Sequence, residues 1–223
     1  FSSFNMRRLK KSYDLSLSGR FKTSRFWRWC PSGMRRRWWF FRIFDLIVCS
    51  WPLLKARKGL VVVRMDGIGD MVLFYSSLEY YEEAFGETSD NITILGCKSW
   101  EPLASQLFKS YKFVGIDEHR YAKNIFYRMY VNLHVRLIAP NKVVLDSYFR
   151  RALIADSLVW VMSAPMSVVS YPYISEQTRP EFTYYLSFMT KVIDTGPYST
   201  HELARHANFV SRGSSFTTSS SRF

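Results

Sequence analysis

Arg64-Met65-Asp66-Gly67-Ile68-Gly69-Asp70 gathers two acids, one base and two glycines into seven consecutive residues. A carboxylate at the start of a helix sits in a positive local field that favours its ionised form. Held there, Asp70 could serve as a general base toward a hydroxyl group. Gly67 and Gly69 would let the backbone turn tightly and let a substrate come close, and Arg64 offers a cation for an anionic group. Asp66 would orient Arg64 or cap the turn. The plain alternative is that Asp70 only caps the helix.

The surrounding residues supply the elements that must hold this loop. Leu60-Val61-Val62-Val63-Arg64 is a short β-branched run, as expected of a strand buried on both faces of a parallel sheet. From Asp70, the spacing of Met71, Phe74, Tyr75, Leu78, Tyr81 and Phe85 predicts a helix, with Gly86 placed for its C-terminal cap. Strand-like segments then recur at 91–96, 112–116, 142–145 and 166–171. Helical patterns lie between them at 100–108, around Ala122, Ile125, Phe126, Met129, Tyr130 and Leu133, and at 150–160. This alternation predicts an α/β fold with a Rossmann-like, doubly wound parallel sheet. Ligands on such sheets bind beyond the carboxyl ends of the strands, where residues 66–70 must lie. A further helical stretch is expected from Glu181 to about Ile193 and a last helix over His201–Val210. Residues 211–223 contain eight Ser/Thr and no apolar period, which predicts an unstructured tail.

The formal charge of +13 is segregated. Residues 1–58 carry 15 Lys and Arg against two acids, whereas the remainder is balanced at 16 of each. The globular part is therefore neutral, and nucleic acid is not an expected partner, since no recognition module accompanies the basic segment. Residues 1–33 form a basic extension without a hydrophobic period that does not begin with Met, and are expected to be translated upstream sequence ahead of a start at Met34, with Met6 as the alternative start. Residues 34–58 hold an aromatic, apolar run from Trp38 to Leu54 that is interrupted by Arg42 and Asp45 and is short for a membrane span. Trp38, Trp39 and Trp51 with Arg35, Arg36 and Arg37 suit an interfacial helix on an anionic membrane surface. A helix packed on the domain's own surface fits the same pattern. The three cysteines show no Cys-x-x-Cys pair, and His201 and His206 are five apart rather than four, so no metal site is expected and surface or packing roles suit both histidines.

Val61-Val62-Val63-Arg64-Met65-Asp66-Gly67-Ile68-Gly69-Asp70-Met71-Val72-Leu73 resembles the opening signature of glycosyltransferase family 9, the heptosyltransferase family. Weaker matches follow in order: Lys142-Val143-Val144-Leu145 with Ser147, Arg150 and Arg151, then Ala164-Pro165, and finally His201-Glu202-Leu203-Ala204-Arg205 with Asn208 and Phe209. The resemblance implies that residues 59–210 are the acceptor-side domain of a two-domain GT-B enzyme. It implies inverting, metal-independent transfer without a cofactor, from a nucleotide-sugar such as ADP-heptose to a lipopolysaccharide or other cell-envelope glycan. It also implies a place on the cytoplasmic face of the bacterial inner membrane. Asp70 matches the general base, while Arg64, Asp66, Gly67 and Gly69 match acceptor-side positions. A C-terminal donor domain is the expected partner that this chain does not contain, so the chain by itself is expected to be inactive. The alternative is a stand-alone, membrane-docked module that binds a phosphorylated ligand without catalysis.

Overall fold

The structure, a computed structural model, describes residues 39–220 except Leu54 and Gln177. Residues 1–33, and with them Arg35, Arg36, Arg37 and Trp38, lie outside the described residues.

Six strands form one all-parallel sheet: β1 (Leu60–Arg64), β2 (Ile92–Cys97), β3 (Lys112–Ile116), β4 (Lys142–Leu145), β5 (Met166–Ser170) and β6 (Lys191–Ile193). Their spatial order is β3-β2-β1-β4-β5-β6, with every neighbouring pair parallel. The chain therefore moves outward from β1 in one direction, returns, and continues from β4 in the other, which is the doubly wound arrangement predicted from the alternation of patterns. All residues of β1 are buried, because helices cover both faces of the sheet.

On one face Val61, Val63, Val143 and Leu145 pack against α6 (Ile125–Ile138) and α7 (Ser157–Met162). On the other, Leu60, Val62, Ile94 and Val144 pack against α2 (Ile68–Tyr75), α3 (Leu78–Phe85), α4 (Glu101–Leu107) and α9 (Glu202–Ser220). A one-turn helix, α5 (Glu118–Tyr121), precedes α6, and α8 (Arg179–Leu186) precedes β6. Gly86 ends α3 in the left-handed region at φ 60°, where its N–H reaches the carbonyls of Glu82 and Glu83, as its position in the sequence suggested.

Several local expectations are corrected. The first helix begins at Ile68 rather than Asp70 and is broken into α2 and α3 at Ser76-Ser77, where Ser76 bonds back to Leu73 O. The stretch from Glu181 to Ile193 is a short helix followed by a strand, β6, since Lys191, Val192 and Ile193 extend the sheet beside β5. Residues 152–156 form a π-turn leading into α7 rather than a regular helix. The expected unstructured tail is helical as far as Ser220. Tertiary contacts outweigh its weak propensity: Gly213 lies against the Phe85 ring, Lys191 Nζ donates to Arg212 O at 2.7 Å, and Arg212 donates to Asp194 O at 2.6 Å.

The aromatic run before the sheet forms α1 (Trp39–Cys49), which docks on α6 and α7. Phe41, Asp45 and Val48 face inward, and Asp45 is fully buried. Its carboxylate accepts a bidentate pair from Arg128 at 2.8 and 2.6 Å and a third bond from Asn132 at 2.6 Å. The charge that made the run a poor membrane span is therefore neutralised inside the protein. Arg136 donates to Trp51 O at 2.9 Å and so fixes the chain where α1 ends. Among the described residues, no helix is long and apolar enough to cross a membrane.

This docking turns α6 over. The residues whose spacing announced the helix include Phe126, Tyr130 and Leu133, and these face solvent. The side it buries holds Arg128, Asn132 and Arg136 beside Val131 and Val135.

Candidate functional site

The loop after β1 is held from beneath by a buried ionic network. Arg64 is 0% exposed, and its Nη1 donates to Asp146 Oδ1 at 2.6 Å. Its Nε lies 3.0 Å from Asp66 Oδ2 without hydrogen-bond alignment, and its guanidinium faces the Phe74 ring at 5.0 Å. Asp146, just past β4, also accepts from the Tyr81 hydroxyl and meets His206 Nδ1 at 2.6 Å. Burial works against ionisation of Asp146, but Arg64 and His206 outweigh it and hold the carboxyl well below the usual range. Asp66 accepts from Ser147 Oγ at 2.7 Å; burial pushes its pKa up, against the pull of Arg64 and Ser147.

Arg64, expected to offer its cation to a substrate, is instead buried and paired with Asp146 and Asp66. The expected reason for the two glycines changes as well. Gly67 has an ordinary φ of −72°, a side chain at Gly69 would meet nothing within 4 Å, and only Asp70 lies that near one at Gly67. Neither glycine therefore marks a strained turn or a close approach of protein atoms.

Above the network lies a cleft of about 320 Å³ lined by residues from four strand ends: Met65, Asp66, Gly67 and Asp70 after β1; Cys97 and Ser99 at β2; Glu118 after β3; Phe149, Arg150, Arg151 and Ile154 after β4. It sits beyond the carboxyl ends of β1 and β4, where the winding reverses, the usual ligand crevice of such sheets. Gly67 occupies the N-cap of α2 with no side-chain cap, so Asp70 is the third residue of the helix and not its cap. Asp70 is exposed, and its carboxylate has no ion pair or hydrogen bond among the described residues. Arg150 is committed to Asp156 through two bonds at 2.9 and 3.0 Å, with further bonds to the carbonyls of Ser147 and Ser170. Arg151 differs: its Nη1 is buried and has no hydrogen-bond partner among the described residues.

No protein-family model matches this sequence, and no curated protein sequence matches it either.

The cleft's chemistry thus rests on its own residues. Burial and the nearby Glu118 carboxylate, whose Oε2 accepts from Cys97 Sγ at 3.2 Å, raise the Cys97 thiol far above its ordinary value, so it is not a nucleophile at neutral pH. Among the described residues no group of three His, Cys, Asp or Glu side chains could hold a metal ion. What the arrangement offers is the Asp70 carboxylate and the half-buried Arg151 guanidinium, both without a side-chain partner among the described residues, and glycine backbone between strand and helix. The expected general base, Asp70, lines this cleft; of the positions expected to bind substrate, Asp66 and Gly67 line it, Gly69 is exposed, and Arg64 is buried. Arg151 had a signal in the sequence. It follows the fourth predicted strand, and the rule that placed residues 66–70 at a ligand-binding strand end applies equally there.

Of the surface or packing roles expected of the two histidines, His201 has the first and His206 the second. His206 is buried on Asp146, while exposed His201 accepts from the N–H of Leu203 at 3.3 Å as α9 begins. Arg205 lies over the Tyr148 ring at 3.6 Å and bonds the carbonyls of Thr200, Gly196 and Pro197. This segment closes the domain and does not enter the cleft.

Proposed function

We propose that this chain is the acceptor-binding part of an inverting, metal-independent glycosyltransferase of the heptosyltransferase type. Its acceptor would be a phosphate- or carboxylate-bearing glycan of the bacterial cell envelope, lipopolysaccharide core included, met at the cytoplasmic face of the inner membrane. In this reading Asp70 takes the proton from the acceptor hydroxyl as its oxygen attacks the anomeric carbon of a nucleotide-sugar, and the nucleoside diphosphate departs with the bonding pair. The donor would be held by a second domain. Arg151 binds the acceptor's anionic group, the part first expected of Arg64.

The observation that carries the proposal is the meeting, in one cleft at the switch point, of the Asp70 carboxylate with the half-buried Arg151 guanidinium, neither of which has a side-chain partner among the described residues. An unsatisfied buried donor is costly unless a ligand completes it, which favours an anionic ligand. The same guanidinium also suits the second reading, a module that binds a phosphorylated ligand without catalysis.

Calorimetric titration with a soluble phosphorylated core oligosaccharide tests the cleft. Hydrogen bonds to charged groups contribute about 1.5–3 kcal/mol, so Arg151→Gln should weaken binding by roughly 10- to 100-fold. Asp70→Asn should leave affinity nearly unchanged. Equal affinity of the wild type and Arg151→Gln would move the ligand elsewhere.

A further inference from the structure

From the reversed packing of α1 on α6 we infer that the outer faces of these two helices form a docking surface for an anionic lipid bilayer. On α6, Phe126 is 84% and Tyr130 67% exposed, and Leu133 and Leu137 continue the same stripe at helical spacing. On α1 the exposed positions are Ile43, Leu46 and Ile47, followed by Trp51 at 59%. The two helices are neighbours on one side of the sheet, joined by Asp45 to Arg128 and Asn132. Large apolar side chains exposed in a stripe on each of two neighbouring helices mark an interaction site rather than ordinary scatter.

Charge indicates the occupant. Neither helix carries an exposed acid: α6 has none, and the only carboxylate of α1, Asp45, is sealed against Arg128. Arg35, Arg36 and Arg37 directly precede α1 in the chain, and residues 1–58 hold all of the excess positive charge. An acid-free face bearing aromatic side chains, tied to a run of arginines, complements negatively charged headgroups over an acyl layer. A neutral protein groove would make no use of that charge.

Co-sedimentation of the full chain with vesicles tests the proposal. Vesicles of phosphatidylcholine alone should bind weakly, those with an equal part of phosphatidylglycerol strongly, with release at high salt. Phe126→Ser combined with Leu133→Ser should lower partitioning at least tenfold while the thermal melt stays that of the wild type, because both side chains are exposed. Ile43→Ser with Ile47→Ser is the independent second variant and should act in the same direction. Replacing Arg35, Arg36 and Arg37 by Gln should lower partitioning by roughly a hundredfold. Wild-type partitioning by both apolar variants would overturn the proposal by leaving the basic segment as the sole anchor. Self-association in analytical ultracentrifugation that both variants abolish, without vesicle binding, would overturn it in favour of a second copy. Titration with the soluble oligosaccharide is unaffected by these substitutions, so failure of the surface and failure of the cleft are told apart.

Discussion

Asp70 and Arg64 sit six residues apart in one loop and have opposite fates. Arg64 projects inward from the last position of β1 and is neutralised by Asp146 and Asp66, whereas Asp70 stands on the first turn of α2 and faces the cleft unpaired. The alternation of a strand decides this: successive side chains take opposite faces, and the residue ending a buried strand under a helix is enclosed. If the chain acts with a nucleotide-sugar-binding domain, Asp70→Asn in the two-domain enzyme should lower kcat by about 10²–10⁴ while acceptor affinity stays close to wild type. Asp66→Asn should act chiefly through the fold, since Asp66 is held by Arg64 and Ser147. A steady-state comparison in which Asp70→Asn keeps its kcat would remove Asp70 from proton transfer.

At the level of elements, strands were more legible than helices. β1 was marked by a β-branched run of the kind a strand covered on both faces carries, and β2 to β5 by short strand-like segments spaced between helical patterns. β6 was hidden because Lys191-Val192-Ile193 is too short to show a period and takes its strand geometry from β5. The orientation of α6 was illegible for a physical reason: an apolar stripe normally faces the core, but here Asp45, 83 residues earlier, makes the polar side the buried one. Nothing local to α6 records that partner. The pairing makes a definite prediction. Asp45→Ala leaves the buried guanidinium of Arg128 uncompensated, which typically costs about 3–5 kcal/mol. Hydrogen exchange should show α1 and α6 losing protection first, with β1 and β4 still protected. Uniform loss across the sheet would mean that α1 is integral to the core rather than docked upon it.

Across the whole molecule, one carboxylate ties the two halves of the doubly wound sheet to its last helix. Asp146 leaves β4, meets Arg64 of β1 and Tyr81 of α3, and takes His206 from α9, about sixty residues further along the chain. The cleft is therefore built over a long-range junction: the loop bearing Asp66 and Asp70 keeps its place only while α9 is closed onto β1 and β4. That dependence can be measured through pH. The folded carboxyl of Asp146 has its pKa depressed below the unfolded value near 3.9, so the stability it contributes is fully present above about pH 4 and is lost as pH falls toward the folded pKa. The slope of that loss is about 1.4 kcal/mol per pH unit. Asp146→Asn removes the charge at every pH and leaves Arg64 buried beside Asp66 alone, a loss of roughly 3–5 kcal/mol at pH 7. Urea unfolding of both proteins should show that gap narrowing as pH falls below about 4, by up to about 1.4 kcal/mol per pH unit. A gap that stays constant down to pH 2 would show that Asp146 is not the ionised hub of the junction.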